Sequence, residues 1–151
     1  MSIEHYQTPE AIARLDEIGW PEWTKLGWPR TLRFAPGVGW AAIESATGHI
    51  EDMVSHLALC ILRNHLREWL ERQAVRICVE FNGKRGPSTT YYLERDLCNE
   101  DGYYEGDGGR EVLTVAGWHR WNKLGDAVPR YFDDLDAALL AGAEAMPKGK
   151  D

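Results

Sequence analysis

The apolar periodicity of residues 47–73 constrains the fold of this chain more than any other feature. Thr47 is suited to cap a helix, and no proline interrupts the stretch. The run of residues 57–62 is apolar nearly all round, so we expect a long helix with partners on two sides, in a homodimer or a larger assembly. The apolar side chains recur at steps of three and four residues, as on one face of an α-helix: Ile50, Met53, Val54, Leu57, Ala58, Ile61, Leu62, Leu66, Trp69 and Leu70.

Composition restricts the classes of protein to consider. The chain has 151 residues and 44% hydrophobic content, enough for a domain with a real core. A net charge of −7 argues against direct binding to nucleic acid, although it suits a basic protein partner. No apolar run is long enough for a bilayer, no signal peptide follows Met1, and the three cysteines lack C-x-x-C spacing. We therefore expect a cytoplasmic protein with reduced thiols and no membrane contact.

The first part of the chain has the signals of a helical arm. Thr8 precedes Pro9 and Glu10, which is the pattern of a capped helix start with proline at its first position. Gly19 ends that helix, and residues 30–34 can form a short strand. We predict an N-terminal helical arm over residues 1–36.

Strand patterns dominate the second half of the chain. Residues 75–82 alternate apolar and polar, and residues 89–94 return as the second strand of a hairpin. Residues 111–115 and 117–121 are further strand candidates. A last helix begins near Phe132, with Asp133 and Asp136 at its start, and His65 on the long helix is expected to be a hydrogen-bonded core histidine.

Together these elements predict an α+β fold. We expect a small, mostly antiparallel sheet of three to five strands, packed with the long central helix and the C-terminal helix. Residues 37–147 would form a single sandwich domain, and residues 148–151 a tail.

A basic and aromatic patch near the C-terminus is the most ligand-like constellation. Indole and guanidinium planes can stack on a nucleobase, and arginine can hold phosphate. The alternative is that both tryptophans are core residues while the charges solvate a strand edge. A third interpretation uses His119 in a small hydrolase or transferase. The candidate ligand-binding residues are Trp118, His119, Arg120, Trp121, Arg130 and Tyr131.

An acidic, glycine-rich segment over residues 96–111 is the candidate partner-binding loop. Its charge can occupy a basic groove on another protein, although charge runs are usually only solvated. Its spacing misses an EF-hand pattern, so no metal is expected. The absence of catalytic motifs argues against an enzyme, and no cofactor is expected. The candidate partner-binding residues are Asp101, Tyr103, Tyr104, Glu105 and Asp107.

Two pairs of short segments carry a family resemblance. The first joins Val128-Pro129-Arg130-Tyr131 to residues 135–139, and the second joins Ala46-Thr47 to residues 57–63. The first resembles the P-x-Y helix entry, and the second the A-T and A-L-A-L-C helix, of the phage ABA sandwich family, small α-β-α proteins found in phages and prophages. The two motifs stand here in the opposite order along the chain. The resemblance implies a phage-encoded accessory protein and carries over no catalytic residue.

These observations lead to one principal hypothesis about function. We expect a phage-encoded, non-enzymatic protein that inhibits a host defence system by binding a host protein, as an anti-CRISPR protein does. That host protein can itself be a basic one that binds nucleic acid. The alternative is a sponge that sequesters a nucleotide signalling molecule.

Overall fold

The computed structural model describes residues 3–25, 28–35, 37–82, 88–96 and 109–146. Within them the chain forms three α-helices and two antiparallel sheets of four strands each, so the predicted α+β class is confirmed. A single sheet of three to five strands was expected, and there are two sheets of four. The chain divides into two compact units, Met1–Leu66 and Arg67–Met146.

The first unit contains a four-stranded sheet with helices before and after it. A short 3-10 helix at Ile3–Gln7 precedes helix α1, and the sheet order is β1-β2-β3-β4. Helix α2 follows the sheet, and its residues 55–66 belong to this unit. The elements are α1 (Pro9–Ile18), β1 (Glu22–Lys25), β2 (Trp28–Ala35), β3 (Gly39–Glu44), β4 (Ile50–Asp52) and α2 (Ser55–Arg72).

The predicted signals around α1 are confirmed. The Thr8 hydroxyl accepts a hydrogen bond from the backbone N–H of Ala11 at 3.1 Å, as an N-cap residue does. Gly19 follows the helix with φ +103°, a conformation that favours glycine. The carbonyl oxygen of Gly19 lies 2.6 Å from Nε2 of His65, so His65 has the hydrogen-bonded role expected of it.

The prediction that the long helix begins near Thr47 is wrong. The Thr47 hydroxyl accepts from the N–H of His49 at 3.2 Å, and Gly48 has φ +74°, so this segment is a turn. Residues 50–52 then pair with β3 as strand β4. Helical periodicity in this short segment was outweighed by pairing with a neighbouring strand.

The predicted N-terminal arm is continuous with the structure that follows it. Strand β2 pairs with β3 from Arg30 opposite Glu44 to Ala35 opposite Gly39. Residues before position 36 therefore share a sheet with residues after it.

The second unit begins with the last residues of α2 and contains the second sheet. Strand order is β5-β6-β7-β8, and every neighbouring pair is antiparallel. The predicted β5–β6 hairpin is confirmed, although its turn, residues 83–87, lies outside the described residues. The elements are β5 (Val75–Asn82), β6 (Ser88–Asp96), β7 (Arg110–Thr114), β8 (Gly117–Arg120), a 3-10 turn (Trp121–Lys123) and helix α3 (Leu135–Ala145).

Helix α3 begins later than predicted and packs unusually close to its neighbours. Its cap is Asp134 rather than Asp133, because a carboxylate oxygen of Asp134 accepts from the backbone N–H groups of Asp136 and Ala137 at 2.8 and 3.1 Å. A Cβ added at Gly142 would lie 2.9 Å from Cδ2 of Leu93 and 3.2 Å from Cδ1 of Leu70. Glycine at this position allows the close approach.

Candidate functional site

Polar and aromatic side chains gather on one face of the second sheet. Residues directly opposite on antiparallel strands project to the same face. The register sets Arg76 opposite Glu94 and Cys78 opposite Tyr92, so these four side chains share a face, which we call the polar face. The opposite face, which carries Val75, Ile77, Val79 and Phe81 on β5, is called the apolar face.

The carboxylate of Glu94 is the centre of the polar face, and the residue is only 8% exposed. Its Oε1 accepts hydrogen bonds from Nη2 and Nε of Arg76 at 2.9 and 3.1 Å, and from the thiol of Cys78 at 3.4 Å. Its Oε2 accepts from the indole N–H of Trp121 at 2.7 Å. Burial of this charge is therefore compensated by directed donors on both oxygens.

Arg76 is held between two carboxylates. Its Nη1 donates to Asp96 at 2.6 Å, while its other nitrogens bind Glu94. The hydrogen bond to Asp96, followed by that to Glu94, raises the pKa of Arg76 above its ordinary value despite desolvation. Arg76 is thus a fixed cation that stabilises the polar face.

The environment of Cys78 is unsuited to thiolate chemistry. Burial, together with the negative charge of Glu94, raises the pKa of Cys78 to about 11. Because the thiolate is the nucleophilic form, a thiol that stays protonated at neutral pH is a poor nucleophile. Cys78 acts here as a hydrogen-bond donor to Glu94.

Three aromatic rings border this cluster. Tyr92 makes edge-on contacts with Trp121 and Tyr131, with ring centroids 6.2 and 5.8 Å apart. Burial raises the pKa of Tyr92 to about 12 and also raises the pKa of Tyr131. Tyr131 remains 47% exposed, so its ring is the accessible end of the aromatic group.

The predicted ligand-binding residues on β8 divide between the two faces. Trp118 and Arg120 alternate with His119 along the strand, so they project to the opposite face from His119. The guanidinium of Arg95 lies 4.7 Å from the ring centroid of Trp118, and the buried indole nitrogen of Trp118 has no hydrogen-bond partner among the described residues. Nδ1 of His119 lies 3.0 Å from the hydroxyl of Thr114.

The other predicted ligand-binding residues have separate surroundings. The guanidinium of Arg130 lies over the ring of Phe132, 4.7 Å from its centroid. The backbone N–H of Arg130 donates to the backbone carbonyl of Leu113 at 2.9 Å. Trp121 and Tyr131 meet through Tyr92. The structure therefore brings Trp121 and Tyr131 together, but it does not gather the six residues into one pocket.

The predicted partner-binding residues cannot be placed. Asp101, Tyr103, Tyr104, Glu105 and Asp107 lie outside the described residues. Their role stays a prediction from charge and composition.

The apolar face carries a groove of about 220 Å³ at the end of α2. Two apolar side chains of β5 on this face are largely uncovered: Val79, which lines the groove, is 58% exposed, and Phe81, two residues further along the strand, is 68% exposed. We call the groove together with these two side chains the apolar surface. The groove is lined by Leu70, Val75, Ile77, Val79, Tyr91 and Leu135, with Arg67, Glu71 and Arg76 among its charged neighbours.

Sequence patterns alone did not identify the apolar surface. The alternation along β5 shows which side chains share a face, but it does not show how much of that face is covered. The lengths of the elements carry such a signal, because a helix that is shorter than the strand beside it leaves part of that strand uncovered. An 11-residue helix such as α3 is about 16 Å long, whereas an eight-residue strand such as β5 is about 27 Å long.

Within the described ranges, no group of three or more histidine, cysteine, aspartate or glutamate residues is placed to hold a metal ion. None of the helices in the same ranges is long and apolar enough to cross a membrane.

Comparisons with models of protein families, with curated proteins and with solved structures find no match for this chain. The resemblance to the phage ABA sandwich family therefore rests on the sequence motifs alone.

Proposed function

We propose that this protein acts by binding another protein through the apolar surface of its second unit. The observation that supports this most directly is a groove lined in part by the exposed Val79, with the exposed Phe81 two residues further along the same face of β5. Contiguous exposed apolar side chains rimmed by charge are typical of protein interaction sites.

A partner that covers the two exposed side chains removes apolar surface from water, which favours binding. Covering a large apolar side chain contributes roughly 1.5–3 kcal/mol relative to leaving it in water. Val79 and Phe81 are both more than half exposed, so a partner that covers them gains much of that contribution. The groove beside them can receive one apolar side chain of the partner, while Arg67 and Glu71 at its border are exposed for polar contacts.

The biological setting of this proposal follows from the sequence resemblance. We propose that the partner is a host protein and that binding it blocks a host defence function, as expected of a phage-encoded accessory protein. The chemistry of the polar face is compatible with a binding role, because its carboxylate and thiol are engaged in hydrogen bonds with each other and with Arg76 and Trp121.

Sequestration of a nucleotide has less geometric support. A stacking site needs an accessible ring close to a cation. Tyr131 offers an accessible ring, but the indole of Trp121 is directed to Glu94 and the guanidinium of Arg95 already covers Trp118.

The substitution Leu135→Asp tests the apolar surface. Leu135 lines the groove and is the first residue of α3, where an acidic side chain suits the helix dipole. We expect the variant to fold but to lose capture of the host protein retained by the wild type, and to lose protection of infecting phage in a plaque assay.

Val128→Asp is the matched control, because Val128 is 63% exposed and is not among the residues that line the groove. It should capture the same host protein as the wild type. Equal capture by the Leu135→Asp variant and the wild type would show that the groove is not the binding site.

A further inference from the structure

No other strand that the structure describes covers the outer edge of β5. Strand β5 is the first strand in the sheet order and pairs only with β6 among the strands that the structure describes. Natural edge strands are commonly protected by lysine, proline, a bulge or short length. The eight residues of β5, VRICVEFN, carry two charged side chains, Arg76 and Glu80, but no lysine or proline to protect that edge. An edge of this kind is competent to pair with another strand.

We propose that β5 pairs antiparallel with β5 of a second copy of this chain, about a two-fold axis at Cys78. The two sheets would then join into one sheet of eight strands, with the polar faces continuous on one side and the apolar faces on the other. The two-fold axis is perpendicular to the sheet, and side chains directly opposite each other on paired strands project to the same face. Each face of one sheet therefore continues into the same face of the other.

Charge complementarity selects this register. Arg76 and Glu80 are equally distant from Cys78 and lie on the polar face. The two-fold axis therefore sets Arg76 opposite the partner's Glu80, and Glu80 opposite the partner's Arg76. Arg76 stays bound to Glu94 and Asp96 but is 38% exposed, and Glu80, which is hydrogen-bonded to Tyr131, is exposed. The two charges can therefore attract each other across the edge without leaving these partners.

Neighbouring registers lack this match. An axis at Val79 would set Glu80 opposite the partner's Cys78, and an axis at Ile77 would set Arg76 opposite the partner's Cys78. In either case neither charge would lie opposite its complement.

The apolar face is self-complementary in the same register. Ile77 would lie opposite the partner's Val79, and Val75 opposite the partner's Phe81. Val79 and Phe81 are the exposed members of this row, and each would gain an apolar neighbour from the second copy. Pairing is lateral, so the groove beside α2 stays on the open side of the joined sheet. The dimer would thus present two grooves on one face.

Sedimentation equilibrium of the full chain at micromolar concentrations tests the pairing. We expect the wild type to be a dimer, and Glu80→Lys to weaken dimerisation at least about tenfold, because lysine would face the partner's Arg76. Glu144→Lys is the matched control. Glu144 is an exposed acid on α3, so the Glu144→Lys variant should dimerise like the wild type.

Amide hydrogen exchange locates the interface independently of the substitution. Amides of β5 should exchange more slowly in the wild-type dimer than in the Glu80→Lys variant, while those of β6 should not differ. A monomeric wild type, with the edge left for a strand of some other protein, would overturn the proposal. So would a wild-type dimer that Glu80→Lys does not weaken, or one in which β5 exchange is unchanged. The Leu135→Asp variant should dimerise normally, so failure of the host-binding proposal and failure of this one are distinguishable.

Discussion

At the scale of single residues, Glu94 organises the polar face of the second sheet. A buried carboxylate is costly unless both oxygens receive hydrogen bonds. Arg76 and Cys78 donate to one oxygen of Glu94, and Trp121 donates to the other. Its negative charge, added to burial, keeps the neighbouring thiol protonated.

The raised pKa of Cys78 predicts a loss of stability at alkaline pH. The pKa is about 11 in the fold and 9.0 ordinarily, so above pH 9 the unfolded chain releases a proton that the folded chain retains. The stabilising contribution is complete below about pH 9 and is lost as the pH rises towards about 11. The free energy of unfolding, measured by urea denaturation across this range, should fall less steeply in Cys78→Ala than in the wild type.

Cys60→Ala is the control for this experiment. Cys60 is exposed on α2, so its removal should leave the wild-type slope in place. If Cys78→Ala and the wild type lose stability in parallel between pH 9 and 11, the buried thiol does not have the environment described here.

At the scale of elements, sequence patterns predicted correctly those helices and strands whose formation depends on residues close together in the chain. Thr8 and Pro9 define the start of α1 by themselves, and two-residue alternation over residues 75–82 defines β5. Residues 50–54 have apolar side chains at helical spacing, but pairing with β3 makes residues 50–52 a strand. That choice depends on a neighbour that periodicity alone does not reveal.

Gly142 illustrates a position that propensity alone misjudges. A glycine inside a helix costs about 1 kcal/mol relative to alanine, yet Leu93 and Leu70 occupy the space that a side chain would need. We expect Gly142→Val to lower the free energy of unfolding by about 2 kcal/mol through overpacking.

Glu144→Val, at an exposed site on the same helix, measures the propensity cost of valine alone and should be much milder. Thermal or urea denaturation compares the two variants. Equal losses would mean that α3 does not approach Leu93 as closely as described.

At the scale of the whole molecule, the described residues form two compact units, each with a four-stranded sheet. The class α+β could be predicted because strand and helix periods are both clear in the sequence. The number of sheets could not, because β1 and β4 are only four and three residues long and form through pairing with β2 and β3, respectively. The ligand patch was inferred from nearness in sequence, whereas alternation along β8 separates Trp118 from His119.

The predicted homodimer stays a prediction, but its expected interface changes. Residues 57–62 suggested it, yet Ala58, Leu59 and Leu62 are already buried, and Leu57 is 39% exposed. Strand β5 offers the more exposed apolar side chains and an edge that no other described strand pairs with.

The central claim is that the protein acts through protein contacts rather than by holding a small ligand. Native mass spectrometry of the chain purified from a bacterial lysate tests it most directly. We expect masses that correspond to the chain and its assemblies with protein, with no retained small molecule. A tightly held adduct of nucleotide mass would contradict it and would return attention to Trp118, Arg120 and Arg130.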